Sequence, residues 1–148
     1  MTVPSQDSTL AVPLGGDPAH HDWYLQALVK IVNGREFGFP ITLYVGGLVV
    51  SGELISGHKY FEGLGDQLTE FFGGPSDETA QAVRSFTFPA GIYTEPQEGE
   101  EVPPPQYVHL RGARIFTPAQ DPIPTEGVWW RGRLACVDAF HFGTLAVI

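Results

Sequence analysis

The fold is decided by the stretch GFPITLYVGGLVVSGELIS, which runs from Gly38 to Ser56. Apolar residues alternate on both sides of Gly46-Gly47, and such a glycine pair suits a two-residue hairpin turn. One face of the hairpin is then almost entirely aliphatic, and the other face is predicted to meet water. Pairing outward from the turn sets Val45 opposite Leu48, Leu43 opposite Val50, Ile41 opposite Gly52, Tyr44 opposite Val49 and Thr42 opposite Ser51.

Helical patterns stand on both sides of this hairpin. Before it, Asp17 and Pro18 start a predicted helix that ends at Asn33, just before Gly34, with Tyr24, Leu28, Ile31 and Val32 on its apolar stripe. After it, Tyr60, Leu64, Leu68 and Phe71 recur at helical spacing, so a second amphipathic helix is predicted to reach about Phe72. The segment DETAQAVR predicts a further short helix.

The last third of the chain reads as strands, namely QYVHLRGARIF, then VWWRGRLACVDAFHFG and a terminal TLAVI. The Arg-Gly steps in the two long strands predict matched bends. In the second, strand alternation predicts that Trp130, Gly132, Leu134 and Cys136 point inward, whereas Trp129, Arg131, Arg133 and Ala135 point outward. The predicted fold is α+β: a small, bent antiparallel β-barrel with an N-terminal helix and an inserted helical segment, an order that resembles Sm-like barrels.

A chain of 148 residues with 43% hydrophobic residues is expected to form one domain with a real core. Residues 17–148 are assigned to that domain, and residues 1–16 to a disordered tail. The segment Thr94–Gln106 is rich in glutamate and proline and has one aliphatic residue, so it is predicted to be a mobile acidic loop.

Charge and cysteine content restrict the function. The formal net charge is -9, and residues 1–108 contain fourteen of the seventeen acidic residues. Such a chain repels phosphate backbones at long range, which argues against nucleic-acid binding. No stretch reads as a membrane span or a secretory signal, and the single Cys136 fits a reducing compartment, so a cytoplasmic location is expected.

Catalytic and metal-binding patterns are missing from the sequence. The five histidines match no zinc spacing, and the glycine-rich steps lack the lysine of a phosphate loop. We therefore expect no cofactor, no metal and no enzyme activity. Asp138 lies on the inward alternation of its strand; either it is paired, with an arginine or a backbone amide, or the register slips there.

The outward residues Trp129, Arg131 and Arg133, with Arg111 and Arg114, form the candidate binding site. Tryptophan and arginine are common anchors of protein interfaces, so a protein partner is the favoured interpretation. Two alternatives remain at this point: the arginines only face solvent, or they hold RNA as in an Sm-like protein.

A family resemblance bears on this choice. ITLYVGGLVVSGELIS, Tyr60-Phe61, His109-Leu110 and WRGRLACVDAFHFG together resemble the GvpU family of gas vesicle accessory proteins, from about Trp23 to the C-terminus. The resemblance implies a non-enzymatic cytoplasmic protein associated with gas vesicles. Its partners would be the vesicle shell, other gas vesicle proteins or copies of itself, and its role would be vesicle assembly or clustering.

Overall fold

Five antiparallel strands form one sheet in the computed structural model, which describes residues 22–35, 37–93, 98–118 and 120–145. The strand order across the sheet is β4-β3-β2-β1-β5. The α-helices are α1 (Trp23–Arg35), α2 (Gly57–Phe71) and α3 (Asp77–Phe86), and two 3-10 helices are η1 (Phe88–Tyr93) and η2 (Leu134–Cys136). The strands are β1 (Phe39–Val45), β2 (Leu48–Ile55), β3 (Tyr107–Thr117), β4 (Gln120–Arg133) and β5 (Ala139–Phe142).

The hairpin β1-β2 confirms the predicted register at every pair. Gly46 and Gly47 both have positive φ, at 57° and 85°, which matches the turn type that joins two twisted strands through two residues. This pairing puts Ile41, Leu43 and Val50 on the buried aliphatic face.

The opposite face of the hairpin was predicted to meet water, and for Thr42 and Ser51 this is wrong. Both side chains are buried. The Thr42 hydroxyl donates to the Gly143 carbonyl, at 2.7 Å, and the Ser51 hydroxyl accepts from the Leu145 amide, at 2.8 Å. The chain after β5 therefore covers this face, and the two hydroxyls satisfy its backbone groups.

The first predicted helix is present as α1, although its apolar stripe is not the predicted one. Leu25, Val29 and Val32 are buried, whereas Tyr24 and Ile31 are exposed. The helix also continues through Gly34, because a glycine in a last turn need not take the left-handed conformation that ends a helix. Residues 1–21 lie outside the described part of the chain, so the predicted helix start and disordered tail are not tested.

Both helices predicted after the hairpin are confirmed as α2 and α3, each with a serine N-cap. The Ser56 side chain accepts from the Lys59 amide and Ser76 accepts from the Thr79 amide. In α2 the buried aromatic residues are Tyr60 and Phe61, while Phe71 at the end of the predicted stripe is 70% exposed. The apolar stripe of α2 is therefore shorter than predicted.

The last predicted long strand is two strands separated by η2. Strand β4 ends at Arg133, where η2 begins with the Leu134 amide bonded to the Gln106 carbonyl, and β5 then pairs with β1 at the far edge of the sheet. Cys136 lies in this turn and is half-buried. A barrel is not confirmed, because within the described residues the edge strands β4 and β5 do not pair and the sheet is open.

Asp138 follows this turn and is exposed, which corrects the expectation of a buried carboxylate. Its side chain accepts from the Gly46 amide at 3.0 Å, and its own amide donates to the Tyr44 carbonyl. The predicted backbone-amide pairing is therefore confirmed, and η2 breaks the alternation that placed Asp138 inward.

Bends occur at Gly52 and Gly112, where the strand registers shift. Gly112 has φ +62°, so the bend predicted in LRGAR is confirmed. At Gly132 the pairing of β3 with β4 runs evenly, so no register shift accompanies the bend predicted there. Gly127, with φ +79°, provides the second irregular position, where its Cα approaches the backbone of Gly112.

Two apolar clusters cover the two faces of the sheet. The larger joins the buried side of α1 to the sheet and includes Leu43, Leu54, Leu110 and Leu134. The smaller consists of Ile55, Tyr60 and Phe61, and Tyr93 and Trp129 pack against it. Helices α2 and η1 thus cover part of the face opposite α1.

Candidate functional site

Arg131 lies at the centre of an aromatic cluster on the α2 side of the sheet. Its guanidinium carbon is 3.6 Å from the Tyr107 ring centroid and 5.7 Å from that of Phe61. Its Nη1 donates to the Tyr93 hydroxyl at 3.3 Å and to His109 Nε2 at 3.0 Å. The outer strand alternation of β4 is as predicted, but neighbouring aromatic side chains surround this arginine.

His109 is the buried polar partner of Arg131, and its side chain is fully inaccessible to solvent. Burial, together with the positive charge of Arg131, lowers the pKa of His109 from 6.5 to about 3. Because Arg131 can only donate, Nε2 is the acceptor and the ring proton is on Nδ1. Nδ1 has no hydrogen-bond partner among the described residues. Burial likewise raises the pKa of the adjacent Tyr60, against the opposing charge of Arg131.

Because His109 is neutral in the folded chain, the stability of the protein is expected to fall at acidic pH. Below pH 6.5 the unfolded chain binds a proton at His109, whereas the folded chain stays unprotonated down to about pH 3. The stabilisation is therefore complete above pH 6.5 and falls, by up to about 1.4 kcal/mol per pH unit, as the pH decreases toward 3.

Urea unfolding of the parent and of His109→Gln between pH 4 and 7 measures this effect. The unfolding free energy of His109→Gln is expected to fall much less than that of the parent as the pH is lowered. The control His141→Gln, at an exposed position, should show the same fall as the parent. Equal pH slopes for the parent and His109→Gln would contradict the prediction.

Trp129 was predicted to lie on an open outer face, and the structure corrects this. A Cβ added to Gly63 of α2 would lie 2.1 Å from Trp129 Cζ2, so the indole ring fills the space that this glycine leaves. Trp129 and Arg131 are both half-buried, because the inserted helices fold back over β3 and β4. The outer face predicted for Trp129 and Arg131 is therefore covered at these two residues.

The other candidate arginines do not join this cluster. Arg111 forms an ion pair with Glu53 across the strands, at 2.7 Å. Arg114 is half-buried and opposes Ser51, while Arg133 is exposed at the end of β4, opposite Tyr107. The five predicted site residues thus divide into a packed pair and three separate surface positions.

The sequence reasoning missed an exposed aromatic surface on the helical layer. Phe71 is the last residue of α2 and Phe72 is its C-cap, Phe86 ends α3, and Phe88 begins η1. All four are exposed, from 42% to 76%, and the rings of Phe72 and Phe86 are 5.8 Å apart. The doublet FF and the spacing FTF were the available signals, although the helical spacing assigned Phe71 to the apolar stripe of α2.

The described part of the chain contains no group of three or more His, Cys, Asp or Glu side chains placed to hold a metal ion. None of its helices combines the length and apolar character that crossing a membrane requires.

Comparison with known proteins identifies a family. A family model described as gas vesicle protein GvpU-like matches residues 22–145. No curated protein and no solved structure matches the chain. The match covers most of the chain, including every helix and strand described above. The chain therefore belongs to the GvpU-like family of gas vesicle proteins.

Proposed function

We propose that this gas vesicle family protein acts in vesicle assembly or clustering by binding other proteins through its exposed aromatic surface. The GvpU-like family is not a known enzyme family, and we propose a non-enzymatic role in the cytoplasm, where the protein associates with vesicles. The observation that carries the proposal is the set Phe71, Phe72, Phe86 and Phe88. Contiguous exposed apolar side chains commonly mark protein interaction sites, and the rings of Phe72 and Phe86 are neighbours in this set.

The predicted site residues have two different roles in this proposal. Trp129 and Arg131 hold α2 and η1 on the sheet and so support the aromatic surface indirectly. Arg133, Arg111 and Arg114 remain proposed polar contacts with the vesicle shell, another gas vesicle protein or a second copy of the chain. Because polar residues at the rim of an interface contribute little to affinity, the aromatic residues are expected to dominate binding.

The RNA-binding alternative receives less support. Arg111 is paired with Glu53, and Arg131 is surrounded by rings and His109. Of the four candidate arginines, Arg111 is thus neutralised and Arg131 is half-buried, which leaves two to face a nucleic-acid backbone in a protein whose net charge is -9. Strong non-specific binding to phosphate requires several cations free to face the nucleic acid.

Flotation with purified gas vesicles tests the proposal. The double change Phe71→Ser and Phe88→Ser removes two rings that are 70% and 76% exposed, so folding should be preserved. Binding to vesicles, or self-association, is expected to weaken by about tenfold or more, because truncating an interface anchor typically costs about 2 kcal/mol.

The matched control is Leu48→Ser at the β1-β2 turn, which removes an exposed apolar side chain from another part of the surface. It should bind vesicles like the parent. Sedimentation velocity reports self-association, and thermal unfolding verifies that the variants are folded. If the double variant floats and self-associates like the parent, the proposed surface is wrong.

A further inference from the structure

A cleft of about 410 Å³ opens between α1, η1 and the proline-rich segment 102–106. Ile92, Val102 and the three prolines that follow contribute apolar surface, and Tyr107 and Arg131 are part of the lining. Ile92 is 73% exposed, so its side chain stands at the surface without a packing partner that buries it. Clefts of this size and character are typical sites for small molecules.

Besides Gln106 and Tyr107, whose side chains can both donate and accept, four polar side chains of the cleft present hydrogen-bond donors. Lys30 and Arg131 can only donate. The side-chain oxygen of Asn33 accepts from the Gly57 amide at 2.9 Å, which leaves its NH₂ group to donate. The Tyr93 hydroxyl accepts from Arg131, which leaves its own proton to donate. A group that only accepts hydrogen bonds, such as a carboxylate or phosphate, complements this set.

The charge of the cleft also favours an anionic ligand. None of its lining residues in the described part of the chain is acidic, although the protein has a net charge of -9. No ion pair between described residues involves Lys30 or Arg131, although Lys30 also borders a second cleft that Glu100 and Glu101 line. Arg131 is half-buried beside neutral partners, and a half-buried cation gains most from an anion that replaces lost water.

We propose that this cleft binds a small amphipathic anion that has an apolar body and one carboxylate or phosphate head group. The head group lies at Arg131, whose planar guanidinium can donate two parallel hydrogen bonds, and Lys30 supplies the second positive charge. The apolar body packs on Ile92, Val102 and the adjacent prolines. This site is separate from the aromatic surface and does not depend on the vesicle-binding role.

Isothermal titration calorimetry with decanoate, decyl phosphate and decanol tests the proposal. At least one of the two anions should bind with one-to-one stoichiometry, and which of them binds more tightly identifies the head group. Decanol has the same apolar body without charge and should bind at least about tenfold more weakly, because it cannot pair with the cations.

Variants outside the core then locate the site. Lys30→Gln should weaken binding by about three- to tenfold, and Ile92→Glu, which brings a negative charge to the cleft, by at least about tenfold. Arg35→Gln removes an exposed cation from the same helix outside the cleft, so it is the matched control and should bind like the parent. Failure of both anions to bind, equal binding of decanol, or unchanged binding by Ile92→Glu would overturn the proposal.

Discussion

Replacing Leu43 with alanine is expected to lower the free energy of unfolding by about 2–5 kcal/mol. Leu43 is fully buried and lies in β1 between Val50 of β2 and Phe140 of β5. Its removal would leave a cavity in the larger apolar cluster, where the neighbouring strands β2 and β5 fix the backbone and prevent the surrounding residues from closing it. The cost thus includes both the lost apolar transfer energy and the cavity.

The same substitution at Leu48 is the matched control, because Leu48 belongs to the same hairpin and is 44% exposed. Leu48→Ala should cost under about 1 kcal/mol. Urea unfolding followed by circular dichroism measures both values. A similar loss of unfolding free energy in the two variants would contradict the difference in burial between Leu43 and Leu48.

Gly127→Ala is expected to destabilise the fold by about 2–4 kcal/mol, from two independent causes. Gly127 has φ +79°, which a residue with a Cβ adopts at a cost. An added Cβ would also lie 2.7 Å from the Gly112 carbonyl carbon and 2.8 Å from its Cα. Because these are backbone atoms in the paired strand, the clash can be relieved only by moving β3 away from β4.

Gly46→Ala separates the two causes. Gly46 also has positive φ, +57°, but an added Cβ there would have no atom within 4 Å. This variant should lose only about 1–2 kcal/mol, the cost of the left-handed backbone. Thermal and urea unfolding compare the two variants. Equal losses would mean that the close approach of Gly127 to Gly112 contributes nothing to the effect.

The hairpin shows how much of the fold the sequence could predict. Gly46-Gly47 fixes the turn, and every pair from Phe39 to Leu54 follows by counting, because each step along one strand matches one step along its neighbour. The helices α2 and α3 were predictable for the same kind of reason, since a serine cap and a 3.6-residue pattern are local properties.

The candidate site was less predictable, because its residues are distant in sequence. The cluster joins Tyr93 of η1, His109 of β3 and Arg131 of β4. Alternation placed Arg131 on the face opposite Leu134, but it could not reveal that α2 and η1 would cover that face. Nor could the sequence show that the chain after β5 would bury Thr42 and Ser51.

By itself the sequence determined the hairpin register, the α+β class and, through its motifs, membership of the gas vesicle family. Only the tertiary structure decided which faces are buried, that β4 ends at Arg133, and which phenylalanines remain exposed. The physical reason is that turns, caps and periodicity depend on residues a few positions apart. Burial depends on which distant segments pack together, and here the inserted helices and residues 143–145 cover a face that local alternation marks as open.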